Sequence, residues 1–323
     1  MDRRRVDDPH PRVATLQIVA VLAGLLGLLA LAGCSGEDDS GAADGPLRVL
    51  ATTGQIQDAV ANVAGDRVEL VRLLGPGIDP HLYIPTEGDV DAFDDADVIF
   101  YNGLFLEAQM ERVLEQLAAT KTVVAVGEQQ PEDQLIAVGT DEFDPHIWND
   151  PVLWQGVVAS IRDTLAEIDP DNATFYRSQA ASYIDEIDAT HTEMLALVDR
   201  IAPDQRLLIT AHDAFGYYAR AYGFEVAGLQ GLSTESEAST EDVQQLTDLI
   251  VSRRIPAIFV ETSVSSRSIE AVQAAVEAQG FSVTIGGSLF SDALGEEGHP
   301  AEDYVGMLRY NTETIVGALA PEN

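Results

Sequence analysis

Short apolar runs alternate with helical patterns along most of the chain, and the same rhythm occurs in both halves. The runs fall at 47–51, 68–73, 98–101 and 122–126 in the first half, and at 207–210, 224–227, 257–260 and 281–285 in the second. Strands that alternate with helices of this length predict βαβ units and parallel sheets buried on both faces. We therefore predict an α/β fold with two lobes, at residues 47–170 and 203–323.

A long helical pattern lies between the two halves. One helix is predicted from Pro151 to Asp169. A second begins at Asn172 and keeps a 3.6-residue apolar period until Pro203. We predict a linking helix at 171–202, and a helix of about 30 residues is about 45 Å long. Because this length exceeds one lobe, the helix is expected to join both lobes rigidly, so that ligand capture depends on loop changes more than on wide closure.

The first 33 residues have the composition of a secretory signal peptide. Four arginines precede an almost uncharged apolar run at 13–32. The sequence Leu-Ala-Gly-Cys that follows matches the bacterial lipobox, in which the cysteine is acylated and becomes the first mature residue. We predict a signal peptide at 1–33, lipidation of Cys34, and a flexible tether at 34–46 that is rich in Gly, Ser and acidic residues. The alternative is a transmembrane anchor, since about 20 apolar residues can span a bilayer.

The chain is strongly acidic, with 54 Asp and Glu against 18 Lys and Arg and a net charge of −36. Such a charge repels phosphate groups, so it argues against nucleic acids and anionic lipid surfaces as partners. It is compatible with the attraction of cations, although acids spread along the chain are more typical of a solvated surface in a salty environment. Cys34 is the only cysteine, so no disulfide is expected and stability must come from the core.

Three histidines and one aspartate follow predicted strands at matching places in the two lobes. Asp-Pro-His occurs in loops that end at His81 and His146, while His212 follows the first strand of the second lobe and Asp292 follows the last. Proline fixes the backbone beside each imidazole, and neutral imidazole is the commonest protein ligand of transition metals. Ligands bind at the carboxyl ends of parallel strands in open α/β sheets. We therefore predict that these four residues form a metal site in the crevice between the lobes.

Each of these residues also has a structural interpretation. A single histidine after a strand usually forms hydrogen bonds or caps a helix, and Asp292 could be the N-cap of a following helix. A third Asp-Pro-His, at 8–10, lies in the predicted signal peptide, so the tripeptide alone is weak evidence. Glu261 ends a strand near the same crevice. It could orient one of the imidazoles, or it could accept hydrogen bonds within its own lobe.

The remaining candidates receive no chemical role. His191, in the middle of a helix, and His299, in an acidic loop with Gly and Pro, are expected to face solvent. Trp148 and Trp154 lie close to the second Asp-Pro-His. We expect these two rings in the core and in the wall of the pocket.

Five motifs cover both lobes. They are GIDPHLYIPT at 77–86, DPHIW at 144–148, TAHDAFGY at 210–217, FVETS at 259–263 and GGSLFSDALG at 286–295. In this order the chain resembles the metal-receptor lipoproteins of zinc and manganese ABC importers, a family that includes streptococcal-type lipoprotein adhesins. The resemblance extends over the whole mature chain, and the five motifs together are highly specific.

The resemblance implies two α/β lobes joined by one long helix, no catalysis, and delivery of a bound ion to a membrane permease with its ATPase. It implies attachment through lipid on Cys34 to the extracytoplasmic face of the membrane, and cell adhesion is a further role in this family. The family's four ligand positions correspond to His81, His146, His212 and Asp292, and the ion is cargo rather than a cofactor of catalysis. We expect the protein to be a monomer.

The sequence constrains the ion, Mn²⁺ or Zn²⁺, only weakly. Three imidazoles favour zinc, while a carboxylate that can bind through both oxygens also suits manganese. Some relatives carry Glu at the position of His212, and the long His-rich loop typical of many zinc-specific relatives does not follow His81. We favour manganese slightly over zinc. A site with three imidazoles is expected to release more than one proton per ion and to lose affinity steeply as pH falls through the imidazole range.

Two other classes of function stay open at this point. One is a zinc hydrolase with Glu261 as its base, although a catalytic zinc keeps an open coordination position that Asp292 would fill. The other is a surface adhesin whose metal is structural.

Overall fold

The computed structural model describes residues 45–140 and 142–320. The predicted signal peptide, the predicted lipidation site Cys34 and all but the last two residues of the predicted tether lie outside these ranges. None of the helices in the described ranges combines the length and the apolar composition that a membrane span needs.

The first lobe contains a parallel sheet of four strands in the order β2-β1-β3-β4. Its elements are β1 (Leu47–Ala51), α1 (Gly54–Ala64), β2 (Val68–Arg72), α2 (Glu87–Asp95), β3 (Val98–Tyr101), α3 (Glu111–Leu117) and β4 (Thr122–Ala125). Val49 and Phe100 pack in one core while Leu50 and Ile99 pack in another, so the sheet is buried on both faces as predicted. All four strands begin where the apolar runs begin and end within one residue of the predicted ends.

Two helices follow the first lobe. The first is α4 (Pro151–Ile168). Its N-cap is Asp150, whose carboxylate accepts hydrogen bonds from backbone N–H groups of the first turn. Proline in the first helical position adds a preformed φ angle without losing a hydrogen bond. The second is α5 (Ala173–Val198), whose 26 residues correspond to a length of about 39 Å.

Helix α5 joins the two lobes. Tyr183, near its middle, packs in the core of the first lobe, whereas Met194, about three turns later, packs in the core of the second. The last helix, α9 (Tyr304–Leu319), crosses in the same way, because Tyr304 belongs to the first core and Ile315 to the second. Two helices therefore restrain the lobes, which favours local loop movements over a wide hinge motion.

The second lobe contains two parallel pairs of strands, β5 with β6 and β7 with β8. Its elements are β5 (Leu207–His212), α6 (Gly216–Tyr222), β6 (Glu225–Gln230), α7 (Thr240–Arg253), β7 (Ala257–Glu261), α8 (Arg267–Ala278) and β8 (Thr284–Leu289). Strand β5 lies beside β7, but the backbone N–H of His212 donates to the side-chain Oε1 of Glu261 at 2.8 Å. This side-chain bond occupies a donor that a continuous four-stranded ladder would use.

Strand β8 differs most from the prediction, which placed the last strand at 281–285. The strand begins three residues later and contains Gly286 and Gly287, which conceal it from a search for apolar runs. Close packing around the strand explains the first of these glycines, Gly286. A Cβ atom on Gly286 would lie 2.6 Å from the Cβ atom of Ala318 in α9 and 2.8 Å from the ring of Phe259 in β7. The close approach of α9 to this strand therefore requires glycine.

Candidate metal centre

His81 and His146 are placed by two Asp-Pro-His turns with the same backbone hydrogen bond. In each turn the N–H of the histidine donates to Oδ1 of the aspartate two residues earlier, at 2.9 Å for Asp79 and at 2.9 Å for Asp144. The turns lie in the loops that follow β2 and β4, and both imidazoles are buried. The aspartate side chain and the fixed φ of proline thus hold each histidine in one backbone conformation.

The imidazole of His146 has a second contact with its own turn. Its Nδ1 lies 2.7 Å from Oδ1 of Asp144, which fixes the tautomer and leaves Nε2 for a ligand. Trp148 packs edge-on against this ring, with 5.4 Å between the ring centroids. Trp148 and Trp154 are both buried, as predicted, and Trp148 forms part of the wall of the site.

His212 is the last residue of β5, and its buried side chain is held by Glu261 from β7. Oε1 of Glu261 accepts the backbone N–H of His212, and Oε2 lies 2.5 Å from Nδ1 of the imidazole, an ion-pair contact without the alignment of a hydrogen bond. The sequence left two interpretations open for Glu261, a contact to an imidazole or a hydrogen bond within its lobe. The structure shows both contacts, each made by one of the two carboxylate oxygens.

Asp292 lies three residues beyond β8, and its loop is fixed from both lobes. The hydroxyl of Ser263 donates to Oδ2 of Asp292 at 3.3 Å. The carbonyl of Ser291 accepts the indole N–H of Trp148, a residue of the first lobe, at 2.8 Å. The N-cap interpretation of Asp292 is wrong, because the next helix in the described residues is α9 and its N-cap is Asp303.

The four side chains converge between the lobes. Ligating atoms from His81, His146, His212 and Asp292 all lie within 4.8 Å of one another, and all four residues are buried. Nε2 of His81 lies 3.4 Å from Nε2 of His146. The carboxylate oxygens of Asp292 lie 3.6 Å from Nε2 of His146 and 3.3 Å from Nε2 of His212. Tetrahedral coordination with bonds of about 2.0–2.1 Å gives distances of about 3.3–3.4 Å between ligand atoms. The spacing therefore fits one small divalent ion.

Two of the converging atoms lack a hydrogen bond. Nε2 of His212 and Oδ1 of Asp292 are buried without a hydrogen-bond partner among the described residues. The 3.3 Å contact between the two side chains is an ion-pair distance without the alignment of a hydrogen bond. A buried polar atom without a partner costs about 1–3 kcal/mol. An ion bound by both atoms would remove this cost, so the donor set fits a metal.

The electrostatics of the site favour a cation. Burial lowers the pKa of the His81 imidazole to about 3, so this ring is neutral at physiological pH. Burial would also lower the pKa of His212, but the carboxylates of Asp292 and Glu261 outweigh it and hold that pKa well above its usual range. Burial would raise the pKa of Asp292, yet the charge of His212 holds it well below its usual range. Without an ion, the site therefore holds a protonated imidazole between two carboxylates.

His191 and His299 are half-buried rather than solvent-facing, so this prediction was wrong. Nδ1 of His191 lies 3.2 Å from the hydroxyl of Tyr222, which connects α5 to α6. The ring of His299 packs between Phe290 and Tyr310, with centroids 4.9 and 5.1 Å away. Neither residue belongs to the metal cluster, and both have aromatic neighbours.

Sequence reasoning missed the partners of two residues of the site, His146 and Asp292. The repeated Asp-Pro-His was visible, but the aspartate received no role, although Asp144 contacts the ring of His146. The sequence contains a signal for this contact, because both turns carry Asp at the same distance from His. No comparable signal marks Ser263, which reaches Asp292 from the loop after β7.

Two α/β lobes that share a buried cluster of three imidazoles and one carboxylate define a two-lobed receptor for a metal ion. Residues 49–318 match the family model described as ZnuA, zinc-uptake complex component A, periplasmic. The chain belongs to this family of solute-binding proteins of ABC importers. The family consists of binding proteins rather than enzymes, which argues against the zinc hydrolase considered above.

Two relatives and one solved structure illustrate the similarity. The zinc-binding protein TroA of Treponema pallidum (strain Nichols) is 46% identical over 279 residues, which are 86% of this chain and 91% of the relative. The manganese-binding lipoprotein MntA of Bacillus subtilis (strain 168) is 43% identical over 296 residues, which are 91% of this chain and 97% of the relative. A solved structure of the periplasmic zinc-binding protein TroA from Treponema pallidum has a TM-score of 0.84 at 45% identity and covers 86% of this chain and 100% of its own. This agreement confirms the predicted fold class.

Proposed function

We propose that the chain captures one Mn²⁺ or Zn²⁺ ion outside the membrane, through His81, His146, His212 and Asp292, and delivers it to the permease of an ABC importer. The observation that supports this most is the convergence of four buried ligating atoms within 4.8 Å. Two ligands come from each lobe, so a complete site requires the arrangement of lobes seen here. Three neutral imidazoles and one carboxylate leave a net charge of about +1 around a divalent ion, a modest cost of burial.

The relatives support both ions. TroA is named a zinc-binding protein and MntA a manganese-binding lipoprotein. Most nitrogen and oxygen sites bind zinc more tightly than manganese, so the ion that is delivered depends on geometry and supply. We propose that the site accepts either ion in solution. The absence of a His-rich sequence after His81 supports manganese slightly over zinc as the ion delivered in the cell.

Binding proteins of this family work with a permease and its ATPase. For this chain we further propose a monomer held at the membrane by lipid on Cys34. The lipobox at 31–34 supports the lipid anchor. The names of MntA and of the streptococcal PsaA relatives, which describe lipoproteins, support it as well.

We expect metal to raise the melting temperature, because an ion that binds only the folded state stabilises it. At a thousandfold excess over Kd the stabilisation is about 4 kcal/mol, equivalent to a rise on the order of 10 °C for a domain of this size. The measurement is a thermal melt of ion-free protein with Mn²⁺, Zn²⁺ or Mg²⁺. Magnesium should have little effect, since it prefers six oxygen ligands over imidazoles.

Two variants complete this experiment. His212→Ala removes one ligand, and the rise with Mn²⁺ or Zn²⁺ should disappear. His299→Ala removes a half-buried histidine outside the cluster, and the rise should persist. If His212→Ala shows the same rise as the wild type, the proposed site is wrong.

We expect Cys34→Ser to release the protein from the membrane fraction into the soluble extracytoplasmic fraction, because serine lacks the thiol that would form the thioether bond to the lipid. The measurement is fractionation of cells followed by detection of the protein in each fraction. Unchanged retention in the membrane would support the transmembrane anchor over the lipid anchor.

A further inference from the structure

The three imidazoles of the site are held in two different ways. Nδ1 of His146 lies 2.7 Å from Oδ1 of Asp144, and Nδ1 of His212 lies 2.5 Å from Oε2 of Glu261. A buried carboxylate against Nδ1 fixes the orientation of the ring. For the ring of His81, the described residues provide a hydrogen-bonding contact only at Nε2, with His146. The position of His81 therefore depends mainly on its backbone.

The backbone of His81 is held by Asp79, and Asp79 is held by the opposite lobe. The N–H of His81 donates to Oδ1 of Asp79 at 2.9 Å, and the hydroxyl of Thr234 donates to Oδ2 at 2.5 Å. In the other Asp-Pro-His turn, Oδ1 of Asp144 contacts both the N–H and the Nδ1 of His146. The two turns share a backbone conformation but differ in what holds the carboxylate.

Thr234 lies in the loop between β6 and α7 of the second lobe. It is 8% exposed, whereas both of its neighbours, Ser233 and Glu235, are exposed. A single buried hydroxyl in an exposed loop indicates a specific contact, because an unpaired buried hydroxyl is costly. The same loop makes a second bond between the lobes, from Nε2 of Gln109 to Oε1 of Glu235 at 2.8 Å, but both of these residues are exposed.

We propose that Thr234 is a positioning residue for metal binding. Its hydrogen bond to Asp79 fixes the turn that carries His81 and thereby sets how fast the bound ion dissociates. This rests on the function proposed above. Because Thr234 and Asp79 belong to different lobes, the bond forms only when the loop of the second lobe reaches the turn of the first. The loop thus connects the arrangement of the lobes to the position of one ligand.

The same loop borders a cavity that is lined by one of the four proposed ligands. A cavity of about 290 Å³ is lined by His81 together with Phe105, Phe143 and the loop residues Leu232 and Ser233. Of the four proposed ligands, only His81 lines this cavity. A displacement of the His81 turn would therefore open the site towards the cavity, while the carboxylate partners of the other two imidazoles keep those rings in place.

The test compares three substitutions in one loop. Thr234→Val removes the hydroxyl and keeps the branched shape, and Thr234→Ser keeps the hydroxyl. Glu235→Ala removes the exposed bond between the lobes and is the matched control. Protein loaded with Zn²⁺ is mixed with excess EDTA in a stopped-flow instrument, and tryptophan fluorescence reports release because Trp148 packs against His146. Amide hydrogen exchange at His81 is measured in parallel.

We expect Thr234→Val to release zinc about tenfold faster, which corresponds to about 1.4 kcal/mol and to the loss of one hydrogen bond to a carboxylate. Exchange at the His81 amide should also accelerate. Thr234→Ser and Glu235→Ala should stay close to the wild-type rate. If Thr234→Val does not fold, as judged by circular dichroism, Thr234→Ala is measured in the same way.

An unchanged rate in Thr234→Val would overturn the role of Thr234 while leaving the proposed function intact. So would an equal acceleration in Glu235→Ala, because any bond between the lobes would then suffice. Failure of the wild type to bind zinc at all would instead overturn the proposed function. The two claims can therefore fail separately.

Discussion

Binding of one Mn²⁺ or Zn²⁺ ion is expected to release about one proton near pH 7.5, and His212 is its source. Burial lowers the pKa of this imidazole, but Asp292 and Glu261 outweigh the burial and hold the pKa well above its usual range. The ring is therefore protonated without the ion, and the ion displaces the proton on Nε2. Asp292 is already ionised, and His81, with a pKa of about 3, is already neutral.

The affinity should consequently rise with pH. Below the raised pKa of His212 each ion competes with one proton, so the affinity should fall about tenfold for each unit of decreasing pH. The sequence alone predicts more than one proton, because free imidazoles titrate near pH 6.5, roughly. Burial removes His81 from this competition. The dependence should therefore be shallower than three exposed imidazoles would give, and it should extend to higher pH.

Isothermal titration calorimetry in buffers with different ionisation enthalpies measures the proton release. Glu261→Gln removes one of the two carboxylates that raise the pKa of His212, so this pKa should fall and fewer protons should be released than in the wild type. Glu142→Gln is the control, because Glu142 is an exposed carboxylate at the rim of the cavity beside His81. If the wild type releases almost no proton, or if Glu261→Gln releases as much as the wild type, His212 is not the group that the ion deprotonates.

The strands of the first lobe could be predicted because their burial is simple. Leu50 and Ile99 face one core while Val49 and Phe100 face another, so each strand is a short apolar run with clear ends. Strand β8 could not be predicted in the same way. Its two glycines are dictated by the proximity of α9 and β7, which is a tertiary contact that local sequence does not reveal.

The four candidate ligands could be placed together because position after a parallel strand is a property of sequence and topology. Their neighbours could be predicted only in part. Asp144 lies two residues before His146, so its role was readable in principle. Thr234 reaches Asp79 only because the two lobes pack together. Ser263 reaches Asp292 within the second lobe, where the pairing of β7 with β8 brings the two loops after these strands together.

The charge of Asp292 should have the largest single effect on metal affinity. Asp292→Asn keeps the shape of the side chain and removes its charge, so three neutral imidazoles and an amide would surround the divalent ion. Removing one partner from a buried pair of charges costs about 3–5 kcal/mol, which corresponds to binding that is weaker by roughly 10²-fold to several thousandfold. The matched control is Asp213→Asn, because Asp213 is half-buried beside His212 in the sequence but lies outside the four-residue cluster.

Equilibrium dialysis followed by metal analysis tests the central claim, that one ion is bound by His81, His146, His212 and Asp292, most directly. The free ion is set at a concentration about tenfold above the wild-type Kd, where binding to an intact site is nearly complete. We expect one ion per chain in the wild type and in Asp213→Asn, and almost none in Asp292→Asn. One ion per chain in Asp292→Asn, or no ion in the wild type, would contradict a metal site at these four residues.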